Sequence, residues 1–166
     1  MATLTKLESK IAEVLGLAQA SRVAAETVSD LLEDDTHAEL IEQLGVQARE
    51  AQETAKRCTA VAGTFDRKRT AILAAARETR DEAVEMMETY LEGEDDPLDG
   101  FEFLIMAEAG EVGHWLIVAK LNQRAGDAEV QALTDWALPV QEGHFKTVTD
   151  GALVLAGAAD PGAEEH

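Results

Sequence analysis

FEFLIMAEAGEVGHWLIVAKLNQRAGDAEVQALTDWALPVQEGHFKTV, residues 101–148, decides the fold. Placed at about 100° per residue, Phe101, Leu104, Ile105, Val112, Trp115, Ala119 and Asn122 form an apolar stripe on one helix, with Glu108 at its centre and Glu111 at its edge. A second stripe, Val130, Leu133, Ala137, Val148 and Leu155, carries Gln141 and His144 within it, while Glu142 points away. Gly126 suits a left-handed C-cap and Asp127 an N-cap, so the two helices form an antiparallel hairpin. In such a hairpin, residues whose numbers sum to about 252 share a height. Glu108 is then expected to meet His144, and Glu111 to meet Gln141.

The same periodicity organises the rest of the chain. Thr5 and Glu8 have the spacing of a capping box, and Leu7, Ile11, Val14, Leu15, Ala18, Ala25 and Leu32 recur at helical intervals. This predicts a first helix over residues 4–33 with Arg22 in the middle of its apolar stripe, flanked by Ala18 and Ala25. Thr36 and Glu39 suggest a second capping box, opening a helix over residues 37–62 that turns Leu40, Leu44, Gln47, Ala51, Thr54, Cys58 and Val61 inward, with Glu50 at the edge. A third helix is expected over residues 66–91. A Glu-Gly-Glu-Asp-Asp-Pro linker follows, with Asp96 as N-cap and Pro97 at the first helical position.

The expected architecture is all-α: two helical hairpins, residues 4–62 and 97–157, joined by a crossover helix, in one domain spanning residues 1–158 with a disordered tail at 159–166. If the crossover returns the chain to the far end, the second and fourth helices run parallel. Arg22, Gln47, Glu108 and His144 then share one layer, and Glu50, Glu111 and Gln141 the next.

Composition narrows the function classes. A hydrophobic fraction of 46% over 166 residues supports one sizeable core. Thirty-three acidic against 14 basic residues give a net charge of −19, which argues against a nucleic-acid partner, since phosphate binding needs a positive footprint. The single cysteine, Cys58, permits neither an internal disulfide nor a thiolate zinc cluster and reads as core packing. The sequence contains no apolar run of the ~18 residues a membrane span requires, and no signal-like apolar segment at Met1–Lys6, so a cytoplasmic location without a membrane partner is expected. Phosphate-loop, zinc-protease and serine- or cysteine-nucleophile motifs are likewise not found.

The segments Asp99-Gly-Phe-Glu-Phe-Leu-Ile-Met-Ala-Glu-Ala-Gly-Glu, Arg124-Ala-Gly-Asp-Ala-Glu-Val and Leu138-Pro-Val-Gln-Glu-Gly-His, with the two-hairpin layout, resemble the ferritin-like superfamily and most closely its bacterial, stress-associated YciF-like branch. The resemblance implies a ferritin-like four-helix bundle with an additional crossover helix. It also implies a core site for iron or manganese built from Glu50, Glu108, Glu111 and His144, with peroxidase- or ferroxidase-like oxidoreductase chemistry in stress or iron handling. Gln141 stands where the Glu-x-x-His pair of such sites has its Glu.

Two other readings stand beside it. In one, the bundle is a metal-free relative whose Arg22 guanidinium neutralises Glu108 while Gln47, Gln141 and His144 complete the hydrogen bonds, and the protein acts as a homodimeric structural or interaction protein. A second apolar face on the fourth helix, Phe103, Met106, Gly110, Ile117 and Leu121, would be covered by the crossover helix or, as favoured here, by a second subunit. His114, although three residues after Glu111, lies on that face and reads as an interface or packing residue. In the other reading, small residues lining the hairpins make a small-molecule binding bundle. Pro139 is expected to bend the last helix beside Gln141 and His144, opening the polar layer.

Overall fold

Capping chemistry sets most of the helix ends in the computed structural model, which describes residues 2–164. The Thr5–Glu8 capping box forms in both directions and starts α1, Lys6–Ser29. Asp96 accepts from the Leu98 amide, with Pro97 following, to start α4, Pro97–Ala125. Gly126, at φ 67°, ends α4 in the left-handed conformation. Asp127 then caps α5, Ala128–Ala158, accepting from the amides of Glu129 and Val130. Asn122 locks this turn by donating to the Asp127 carbonyl and accepting from the Asp127 amide.

Two boundaries differ from the sequence reading. The Thr36–Glu39 box does not form: the N-cap of α2, Ala38–Ala62, is His37 without a side-chain cap bond, and the Thr36 hydroxyl turns back to Glu33. Residues 64–68 remain a turn with Arg67 at positive φ, so α3 starts late, at Arg69, and ends at Tyr90. After α5 the chain turns at residues 161–162. The part of the expected disordered tail at Glu165 and His166 lies outside the described residues.

All five described elements are helices. Four of them close a ring in the order α1, α2, α5, α4, and α3 lies outside it against α1. Neighbours in the ring are antiparallel. Gly100, Glu108 and His114 descend α4 as Val28, Ser21 and Glu13 of α1 rise past them. Likewise Glu50 and Arg57 of α2 meet His144 and Trp136 of α5. Consequently α2 and α4 are parallel across the diagonal. The crossover α3 runs parallel to α1: Lys68 reaches the Thr3 carbonyl and lies 3.9 Å from Glu8, and farther along Ala76 and Thr79 press on Gly16.

Two apolar clusters fill the bundle. The lower one joins Ile11, Leu15, Cys58, Ile72, Trp115, Val118 and Val130, and the upper one Val28, Leu44, Phe101, Leu104, Val148 and Leu155. Each such side chain contributes about 1.5–3 kcal/mol by leaving water. Between the clusters, Ser21, Gln47, Glu108, Glu111, Gln141 and His144 are all buried. That polar layer is the candidate site.

Candidate functional site

Glu108, on α4, is wholly buried and stands at the centre of the layer. Its Oε1 accepts from the Ser21 hydroxyl of α1 and from the Gln47 amide of α2, each at 2.8 Å. Its Oε2 accepts a short bond from the Gln141 amide of α5, whose Nε2 also lies 3.3 Å from the Glu108 carbonyl. Three helices thus donate to one carboxylate on the fourth. Hydrogen bonds of this kind to a charged group each contribute about 1.5–3 kcal/mol, which offsets the desolvation of the anion.

His144 extends the layer outward. Its Nε2 is 3.2 Å from Oε2 of Glu50, whose side chain is 41% exposed, and its Nδ1 is 3.7 Å from Oε2 of Glu108. Nδ1 and Gln47 Oε1 are buried without a hydrogen-bond partner among the described residues. Glu50, His144 and Gln47 line a cavity of about 190 Å³ beside Pro139, which sits inside α5 where it cannot donate to the Asp135 carbonyl. Pro139 is one of the residues lining this cavity, while Gln141 and His144 stay buried.

Glu111, one turn beyond Glu108, is buried on the other side of the layer. Burial first, and then the Glu108 charge, push its carboxyl well above the usual carboxylate range, with the neighbouring Ser21 hydroxyl opposing in part. Glu111 also reaches Cys58, whose buried thiol is raised first by burial and then by Glu111, as suits a core residue.

Several expected pairings change. Arg22 is not in the layer. It points outward, with its side chain 46% exposed, and pairs with Glu26 at 3.0 Å. The buried residues of α1 around this height include Ala18, Ser21, Ala25 and Val28, so the stripe passes through Ser21 and Arg22 lies one 100° step beyond it. Ser21 is the layer residue that periodicity reasoning missed, although its three-then-four spacing from Ala18 to Ala25 is the signal of an inward position. Gln141 bonds Glu108 rather than Glu111, and Glu50 meets His144 rather than Glu111. His114 lies 3.2 Å from Glu13 of α1, which also pairs with Lys10, so its packing role is within the chain. The second apolar face of α4 is divided: Phe103 is buried with its ring 5.3 Å from Tyr90 of the crossover helix, whereas Met106 and Ile117 remain exposed.

No family model, curated protein or solved structure matches this chain. The functional reading therefore rests on the layer itself. Glu108 and His144 face each other as expected, Glu50 joins them at the solvent end, and Glu111 stands apart on the far side. Among the described residues, no three acidic, histidine or cysteine side chains converge on a common point suited to a metal ion. Both oxygens of Glu108 already face amide and hydroxyl donors, the Gln141 amide offers N–H where a ligand would need a lone pair, and the Glu50 oxygen is turned to the imidazole. This donor arrangement does not fit a di-iron or di-manganese centre. It is suited to holding one buried carboxylate in place from three sides.

Proposed function

We propose that this chain is a ferritin-like helical bundle in which a hydrogen-bonded polar layer occupies the position of a dinuclear metal centre, and that it functions by association as a homodimeric structural or interaction protein rather than by redox chemistry. The single observation supporting this is the satisfaction of both Glu108 oxygens by Ser21, Gln47 and Gln141, one donor from each of the other ring helices. A layer of this kind penalises any sliding of one helix past another, because a shifted register would leave a buried carboxylate unpaired. The ring of α1, α2, α5 and α4, with α3 outside it, supports the ferritin-like reading.

Surface chemistry supports association. On the outer face of α4, Leu116 and Ile117 are about half exposed beyond the reach of the Tyr90–Phe103 contact. With Ile117→Glu, light scattering on the eluting protein should give the mass of one chain where the native protein gives two. A native monomer would refute the homodimer.

The alternative, an iron or manganese site made by Glu50, Glu108, Glu111 and His144, is decided by elemental analysis. Protein produced in iron- and manganese-supplemented medium is expected to carry well under one equivalent of either metal per chain. One or two equivalents, lost in a Glu108→Ala/His144→Ala variant, would overturn the metal-free reading and restore the oxidoreductase one.

A further inference from the structure

We propose that the groove between α1, α3 and α4 binds a small organic cation, a primary ammonium with an apolar tail, with the Glu111 carboxyl receiving the ammonium at its floor. The groove has a volume of about 210 Å³ and is walled by Leu17, Met86, Met87, Phe103 and Met106. That volume is roughly seven times the ~30 Å³ share of one water molecule in the liquid, enough for a short alkyl or arylalkyl chain.

Three observations select the ligand chemistry. First, Glu111 is 4% exposed and is one of the residues lining the groove. The one hydroxyl beside it, Ser21, has a single proton to share between two carboxyl groups and directs it to Glu108 at 2.8 Å. Second, the groove lining contains no lysine or arginine among the described residues, and its one basic side chain, His114, is turned to Glu13 at 3.2 Å. Glu111, one turn from the buried Glu108, is therefore the carboxyl group of the groove lining and has no lysine or arginine beside it there, in a chain of net charge −19. Third, methionine sulfur and the Phe103 ring are soft, polarizable surfaces that accept an alkyl tail and tolerate a nearby positive charge. An anionic head would be repelled by the buried carboxyl pair, and a neutral head would gain no charge-assisted bond from Glu111.

The test is a calorimetric titration, at physiological salt to screen surface charge, of protein first shown by elemental analysis to be metal-free. The ligands are n-octylammonium and n-octanol, which share a tail and differ in the head. Native protein should bind octylammonium with one-to-one stoichiometry and at least about tenfold more tightly than octanol. Glu111→Gln should remove that preference while octanol binding persists, and Met106→Trp, which fills the groove from its exposed rim, should abolish both. Equal affinity for the two ligands, unchanged ammonium binding in Glu111→Gln, or unchanged binding in Met106→Trp would overturn the assignment. So would a native dimer that Met106→Trp separates into monomers, because a second copy would then be the occupant of the groove.

Discussion

At the residue scale, Glu108 sets the terms for its neighbours. Replacing Gln141 by Leu keeps the volume but removes the donor to Oε2, leaving part of a buried carboxylate unsatisfied. The expected loss is about 1–3 kcal/mol, read as a lower urea midpoint at unchanged slope. Glu111 behaves differently, because its carboxyl is raised above the unfolded value. Below the unfolded value both states hold the proton and the group contributes nothing to pH dependence. As pH rises toward the folded value, the unfolded chain releases the proton while the folded one keeps it, so stability falls. Glu111→Gln should therefore stabilise the fold near pH 7, and its advantage over the native protein should shrink on acidification toward about pH 4.5. Paired urea titrations at pH 7 and pH 5 check both parts.

At the element scale, the helices were legible where the determining chemistry is local. Asp96, Pro97, Gly126 and Asp127 mark their own positions, because capping needs only a side chain and the next few amides. The second hairpin was read almost to the residue for that reason, and so was the meeting of Glu108 with His144. The rotation of α1 was not, since alanines flank Arg22 on both sides and an apolar stripe made of small residues leaves a 100° ambiguity that only the docked partner resolves. The side of the bundle taken by α3 was also hidden, though Gly16 carries the trace of it. A Cβ there would fall against the Ala76 carbonyl and within 2.7 Å of Thr79 Cβ, so the backbones of α1 and α3 approach each other only over a glycine. Gly16→Ala should gain helix propensity yet destabilise the protein by about 1–3 kcal/mol through overpacking, with amide exchange in α3 accelerating more than in α5. A stabilised protein would contradict this docking.

At the scale of the whole molecule, two apolar clusters above and below one polar layer make a bundle whose register is set in the middle. The layer passes from the half-exposed Glu50 at the Pro139 cavity, through His144 and Glu108, to Glu111 at the groove on the opposite face. The sequence revealed its members except Ser21, but their pairings depend on helix heights and rotations that periodicity alone does not fix, and these exchanged the partners of Gln141 and Glu50. Among the described residues no helix is long and apolar enough to cross a membrane, and the surface is dominated by acidic side chains.

The most direct measurement is on the side-chain amides of Gln47 and Gln141, observed by nitrogen-15 NMR in the native protein and in Glu108→Ala. Held to Glu108 in the buried layer, both amides should exchange with solvent slowly and become fast in the variant. Amides that exchange in the native protein as quickly as those of an exposed glutamine would show the Glu108 oxygens to be open and would contradict the hydrogen-bonded layer.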